Sequence, residues 1–350
     1  MISPETGVFK TTYSADMAVH RVPLARWALV AFLLAAYTLV PLLASSYQMY
    51  VLDTILIACI GAVGLNLLTG YAGQISIGHG GFIGVGAFAS ALLGARAGVP
   101  FWLSVPLAGL ITAVVGMIFG IPSVRIKGLY LAIATLAAQV IIEWFLARPA
   151  VAGTGSIAAP RPTLGPLSFA DDRLYYFVVL TAAVIAVLVA ENLLRTHIGR
   201  AFVAVRDQDI AAEVLGVNVA GYKLLAFGLS SFYAGVAGAL LGHLGKSVNY
   251  EQFTVDLSIQ YLAMIVIGGL GSIPGSLFGA AFITLLPVVL RNVVDTFKDA
   301  LPGNPAILFS SIQFFLFGFV IVIFMIFEPQ GLARIWRNVK DFFRLWPFSY

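Results

Sequence analysis

The feature that most limits what this chain can fold into is its succession of long apolar runs, separated by short polar or glycine-rich interruptions. Runs near 27–44, 102–120, 129–147, 222–243 and 307–327 each match what an α-helix needs to cross a bilayer core of about 30 Å. Only 10% of the 350 residues are charged and the mean hydropathy is +0.96, whereas a soluble domain carries about 25% charged residues. In lipid every backbone polar group must be satisfied internally, which leaves helices or a closed barrel. The alternating ten-residue segments of a barrel are missing. The expected fold is therefore all-α, a polytopic transmembrane bundle of eight to ten spans.

One stretch departs from that pattern. Residues 199–223, GRAFVAVRDQDIAAEVLGVNVAGYK, are polar and carry Arg200, Arg206 and Lys223 between two apolar spans. Ile210, Ala211, Val214 and Leu215 would share one face of a helix. Asp207 or Asp209 can cap its start, and Gly216 can end it in the left-handed conformation. A short capped helix at the membrane surface is expected, its apolar face turned toward a partner. Ala211, Ala212 and Gly216 are small enough to let that partner's backbone approach.

A second departure is TGYAGQISIGHGGFIGVGAF, with seven glycines from Gly70 to Gly86. Non-helical backbone at membrane depth is tolerated only where protein or a water-filled cavity surrounds it. We expect a broken or re-entrant segment here, then a short helix to about residue 94. GGLGSIPG at 268–275 interrupts a later run in the same way. Paired interruptions can mark inverted repeats with a substrate path between them. Asn66, Gln74, Ser76 and His79 are the candidate lining of such a path, with Gly269 and Ser272 from the second interruption.

Lys and Arg near span ends set orientation. An N-terminal tail at 1–26 on the cytoplasmic side, with alternation through ten spans, puts 121–128, 192–221 and 329–350 inside, where most basic residues lie. The loop at 148–173, with four prolines and three glycines, falls outside, and the permease domain covers 27–328. The net charge of +4 reflects this asymmetry rather than affinity for nucleic acid. The first 20 residues lack the short apolar core and small-residue site of a cleaved signal peptide.

Catalytic constellations do not emerge. The single cysteine, Cys59, sits in an apolar run, the four histidines are scattered at 20, 79, 197 and 243, and no phosphate-binding G-x-x-x-x-G-K-[ST] is present. An enzyme, a bound metal and ATP hydrolysis by the chain itself are not expected. Asp53, Glu143 and Glu191 fall near expected span ends. Glu191 is set to pair with Arg195 four residues on, and His243 is expected at the interface.

Five stretches together carry a family resemblance: LNLLTGYAGQISIGHGGFIGVGAFASALL (65–93), RIKGLYLAIATLA (125–137), GRAFVAVRDQDIAAEVLGVNV (199–219), GGLGSIPGSLFGA (268–280) and FEPQGLA (327–333). In this order they resemble the LivM branch of the branched-chain amino acid ABC transporter permeases. The Ala-Ala-x-x-x-Gly spacing at 211–216 resembles the coupling loop of such importers, although Ile210 stands where their pattern has Glu. The resemblance implies an inner-membrane permease subunit without a cofactor of its own, ATP being bound by partners. Those partners would be a second, LivH-type permease, two cytoplasmic ATPases and a periplasmic substrate-binding protein, with leucine, isoleucine or valine as cargo. Relatives that carry urea or short amides share these blocks. A stand-alone secondary transporter or channel is the reading from another class, but it would need a coupling-ion site, and no acidic residue lies deep in a clear span.

Overall fold

The computed structural model describes residues 23–148, 155–164, 171–297 and 331–345, with Val151, 167–168 and a few positions between 315 and 326. The expected last span at 307–327 and most of the N-terminal tail lie outside the described residues. Among the described residues, ten α-helices precede that gap. They are α1 (Pro23–Leu43), α2 (Ser46–Asn66), α3 (His79–Ala97), α4 (Phe101–Gly120), α5 (Leu129–Leu146), α6 (Asp172–Arg195), α7 (His197–Val214), α8 (Val219–Leu244), α9 (Val255–Gly268) and α10 (Ile273–Phe297). After it comes α11 (Leu332–Leu345).

Seven of the described helical stretches are long and apolar enough to cross a membrane. One of them is α3, where only a short helix was expected. It runs 19 residues, because the glycines that break the chain at 70–78 give way to a continuous apolar run from Phe82 onward. By contrast α9 has 14 residues, about 21 Å at 1.5 Å per residue, and stops at the second interruption. The chain is a multi-pass helical membrane protein. Its loop at one end adds two small antiparallel pairs, β1 (Ser156–Ala158) with β4 (Ser247–Asn249) and β2 (Thr163–Leu164) with β3 (Leu167–Ser168).

Small residues decide how closely the spans approach. Lipid tails give helices no hydrophobic drive to associate, so close van der Waals packing must hold them. On α8, Gly235 meets Gly86 of α3 backbone to backbone, and a Cβ at Gly238 would sit inside the carbonyl of Ile83. Gly109 of α4 lies against Phe232, and Gly268 of α9 lies against Gly275 and Gly279 of α10. The centre of the bundle is accordingly α2, α3 and α8, where Leu65, Phe82, Ile83, Phe88, Ala234 and Ala237 are buried. Gly238→Leu should lower the melting temperature of the purified protein by the equivalent of about 2–3 kcal/mol or more, because a carbonyl cannot swing aside as a side chain can. An unchanged melting curve would refute this packing.

Asp53 and His243 both lie deeper than their place in the sequence suggests. His243, expected at the interface, is buried, with Nδ1 against the Pro160 carbonyl at 2.7 Å and Nε2 against Ser90 Oγ at 2.9 Å. The loop at 155–164, folded back over the bundle by β1–β4 pairing, covers it. Asp53 is fully buried, and neither carboxylate oxygen is hydrogen-bonded. Glu191 and Arg195 are paired at 4.0 Å as expected.

Candidate functional site

The first interruption starts as helix and finishes extended. After Asn66 a π-helical turn, Leu67–Tyr71, carries α2 to its end, closed by Ala72 N–H on the Leu67 carbonyl at 3.2 Å, and residues 73–78 then run back as non-helical chain. Their burial alternates: Gln74, Ser76 and Gly78 face inward while Gly73 and Ile75 face out, the period of two that an extended chain imposes. The His79 ring reaches the carbonyl of Gly61 at 2.9 Å. Gly61 lies ten residues before Tyr71, about 15 Å of helix, so this contact sets the start of α3 that far back along α2. Helix α3 therefore begins inside the bundle.

A helix starting at that depth has backbone N–H groups with neither intrahelical partner nor water. Distant side chains supply what Gly78, lacking a side chain, cannot. Gly80 N–H donates to Ser258 Oγ at 2.8 Å, and Gly81 N–H donates to Gln139 Oε1, which also accepts from Ser258 Oγ at 3.1 Å. In the extended stretch, Ile77 N–H donates to Thr135 Oγ1 at 2.9 Å and Gly78 N–H to Ser76 Oγ at 3.3 Å. Ser76 and His79 are thus placed within packed protein, His79 against the Tyr261 ring at 5.3 Å.

The two interruptions meet. Gly269 and Gly271 take φ of +118° and +74°, conformations that glycine alone adopts freely. Asn66, fully buried, ties that turn to α2: its Oδ1 accepts from Gly271 N–H at 2.9 Å, and its Nδ2 donates to the Ser272 carbonyl at 2.9 Å and to Ser276 Oγ at 2.6 Å. A Cβ on Gly70 would collide with Asn66 Oδ1 and the Gly271 nitrogen. Asn66, Gly269 and Ser272 therefore form one cluster, with Gln74, Ser76 and His79 along the extended stretch leading away from it.

The polar stretch between α6 and α8 packs across this junction. Its helix is longer than expected and starts at His197, where Thr196 Oγ1 accepts from Ile198 N–H at 3.2 Å. Gln208 breaks it with φ −155° and ψ 92°, leaving a final turn from Asp209 to Val214. The cap expected from Asp207 or Asp209 is replaced by ion pairing. Asp207 Oδ1 accepts from Arg206 Nε at 3.0 Å, and Asp209 joins Lys127 and, at 3.4 Å, Lys223. Gly216, at φ +85°, ends the helix as expected. Gly216 N–H donates to Glu213 at 2.9 Å and Val217 N–H to Ala212 at 3.0 Å, the paired bonds of a Schellman ending. Ala212 is buried beneath, whereas Ile210, Val214 and Leu215 are 71%, 83% and 84% exposed, with Ala211 beside them.

Arg206 connects this stretch to the interruptions. Its Nη1 donates to the Gly70 carbonyl at 2.9 Å, and its side chain lies where a Cβ on Gly73 would be, 2.7 Å from Cγ. Sequence reasoning treated Arg206, Lys127 and Lys223 as topology signals only. Asp209, 14 residues before a lysine that opens a span, was the available hint.

Hydrogen bonding by Lys127 holds the Asp209 carboxyl below its usual value; burial opposes it, and the charge of Lys127 and the hydrogen bond and charge of Lys223 add to the lowering. A depressed carboxylate contributes stability that is complete above its unfolded value of about 4 and lost only as pH falls through the lower folded one. The contribution should therefore be constant from pH 5 to 8. The gap in melting temperature between the protein and its Asp209→Asn variant should not change across that range; a gap that closes toward pH 5 would contradict it.

A lipid-spanning bundle with two facing interruptions and a small apolar knob held outside its basic end has the form of a membrane transport component. The chain belongs to the family described as "Branched-chain amino acid transport system / permease component", whose sequence model matches residues 47–325. It is 32% identical over 323 residues to the high-affinity branched-chain amino acid transport system permease protein LivM of Salmonella typhimurium, covering 85% of this chain and 72% of that one. The Escherichia coli LivM is 33% identical over 301 residues, covering 79% and 67%. A probable LivM of Methanocaldococcus jannaschii is 26% identical over 239 residues, covering 66% and 67%. No solved structure matches the chain.

Proposed function

We propose that the chain is the membrane-spanning subunit of an ABC importer and passes leucine, isoleucine or valine across the bacterial inner membrane. The single observation that carries the ABC part is the exposed Ile210–Val214–Leu215 surface on a turn stapled to the bundle by Asp209 and closed by Gly216. Such a knob suits docking to a cytoplasmic ATPase. The substrate class is supported by the two LivM relatives. In this reading the basic end faces the cytoplasm, a second LivH-type permease and two ATPases complete the membrane complex, and a periplasmic protein delivers the cargo. The chain itself performs no catalysis. Cargo moves along the interruptions, past Gln74 and the Asn66–Ser272 junction, as the ATPases pull residues 207–217 and rock the bundle.

Affinity purification in mild detergent, followed by mass spectrometry, tests this. A second permease and ATPases bearing phosphate-binding loops should co-purify, and the complex should take up leucine in liposomes only with ATP and receptor. A lone homo-oligomer that transports without ATP would overturn the importer reading. Uptake of urea or an amide in place of leucine would replace the substrate alone.

A further inference from the structure

Helix α11 is anchored to the bundle by its first turn alone. Gly331, at φ +70°, sets its start: a Cβ there would meet the Ile267 carbonyl at 2.6 Å and the Gly269 nitrogen at 2.7 Å. Ala333 is buried against Gly275, and the Trp336 ring reaches Phe278 of α10 at 5.5 Å. The helix is thus locked, backbone to backbone, onto the second interruption. That interruption lies at the basic end of the molecule, where Arg206 Nη1 bonds the Gly70 carbonyl beside Gly271. From Arg334 to Val339 every residue is exposed, so α11 leaves the bundle there.

The part that leaves has two unlike sides. Leu332, Ile335, Trp336 and Val339 fall at i, i+3, i+4 and i+7, one stripe of a helix, and the last three are exposed. Arg334, Arg337 and Asn338, exposed as well, lie off that stripe. The sequence continues in kind through Leu345, with Phe342 and Phe343 at the apolar spacing and Lys340 and Arg344 at the basic one. Four basic residues against one acidic, Asp341, leave three positive charges on 14 residues. A helix of this length is marginal by itself in water, and a bare Ile–Trp–Val stripe makes water a poorer home still.

The neighbouring helix shows what covers the stripe. Phe278 is exposed on α10, whose stretch Ile273–Asn292 is long and apolar enough to cross a membrane, so its ring faces acyl chains. Trp336 extends that surface, which puts the stripe in the same medium and turns the charged side away from it. Tryptophan favours the headgroup level. A helix with Lys and Arg on one side and Trp and Leu on the other lies in the plane of an interface, and clustered cations beside a span attract acidic headgroups. A zwitterionic surface would leave the three charges unanswered.

We propose that α11 lies in the leaflet at the basic end of the bundle, its stripe entering the acyl region and its basic side binding anionic phospholipid headgroups. Because Gly331 and Ala333 lock its first turn to the second interruption, lipid charge is felt at the turn that Asn66 ties to α2. The site depends on neither the cargo nor the ATPases.

The test uses the full chain in nanodiscs of phosphatidylcholine, alone or mixed with phosphatidylglycerol. Nitroxides are attached singly at Val339→Cys and Arg337→Cys, both exposed positions, while Cys59 is buried and stays unlabelled. With phosphatidylglycerol, the label at 339 should be open to oxygen and closed to a water-soluble nickel chelate, and the label at 337 the reverse. In phosphatidylcholine alone, or in high salt, which screens the attraction, the 339 label should gain nickel access severalfold. Arg337→Gln, Lys340→Gln and Arg344→Gln combined leave no net charge on α11 and should abolish the difference between the two lipids, with an unchanged melting curve in detergent. Ile335→Asp should expose the 339 label in every lipid. A 339 label open to nickel throughout, or equal access whatever the lipid charge, would overturn the site. Shielding of both labels by added ATPases, with no response to lipid, would give the helix to a protein partner and overturn it equally. Inorganic phosphate added to phosphatidylcholine discs should change nothing; a shift to the immersed state would put a free anion in place of the lipid and refute the proposal.

Discussion

Asn66→Leu should destabilise the protein by roughly 2–4 kcal/mol and lower the yield of assembled complex severalfold. Side-chain hydrogen bonds between membrane helices average only about 0.6 kcal/mol, because the separated helices also find partners. The junction at Asn66 is different, since one amide serves Gly271 N–H, the Ser272 carbonyl and Ser276 Oγ. Ser276 and Ser272 keep their own mutual bond at 3.2 Å, so leucine strands chiefly the Gly271 N–H, in a turn whose positive φ leaves it no helical partner. A buried donor left unmade costs about 1–3 kcal/mol, and the lost bonds add to it. Ser276→Ala removes two bonds, from Asn66 Nδ2 and to the Ser272 carbonyl, but strands no backbone group, because that carbonyl keeps Asn66 Nδ2 and the Ser276 N–H, so its effect should stay near 1 kcal/mol. Melting curves of both variants in one detergent check the order. Equal melting of Asn66→Leu and the unaltered protein would mean that the two interruptions are not joined as described.

Charging the exposed knob should have the opposite character, with little effect on the bundle and a large effect on transport. Ile210, Val214 and Leu215 project into solvent, so aspartate at all three should change the stability of the isolated subunit by less than about 0.5 kcal/mol per position. If the knob fills a pocket on an ATPase, each truncated anchor removes about 1–2 kcal/mol of docking energy. Together they should weaken attachment more than about a hundredfold. ATPase recovery on purification and ATP-driven uptake should fall in parallel. Gly216→Val is a complementary probe: open space surrounds its Cβ position, so the cost is only the roughly 1–2 kcal/mol of holding a branched residue in the left-handed region. Full uptake by the triple variant would remove the knob from the mechanism.

Local signals in the sequence led to the right elements where the cause is local. The first of the glycines, Gly70 to Gly78, disclose where helix gives way, and Gly216 discloses where the 209–214 turn ends, since both depend on backbone freedom within a few residues. The partners of the interruption were not legible. Thr135 and Gln139 lie 58 residues from the atoms they bond, Asn66 lies 205 from Gly271, and Ser258 lies 178 from Gly80. Read singly, these are polar residues inside apolar runs. The capping role given to Asp207 and Asp209 failed because cations outcompete a backbone N–H for a carboxylate: Asp207 pairs with its neighbour Arg206, and Asp209 with Lys127 of the 121–128 loop and Lys223 of α8. The basic tail at 329–350 was used only for its charge. Leu332, Ile335, Trp336 and Val339 in fact recur at helical spacing, and α11 forms there, with Trp336 against Phe278 at 5.5 Å.

The extended stretch also sets a constraint in time. Ribosomes add about 5–20 residues per second, so Gly271 emerges on the order of ten to forty seconds after Asn66, and Gln139 several seconds after Gly81. Until then the bare start of α3 has no protein partner, and lipid offers none. The nascent interruption must wait where water or the insertion machinery can solvate it, and α3 can settle to its final depth only after α5 and α9 arrive. Insertion of this chain is therefore not a simple sequence of spans entering one by one. A truncation ending before Ser258 should leave α3 accessible to aqueous thiol reagents at introduced cysteines that the finished protein conceals.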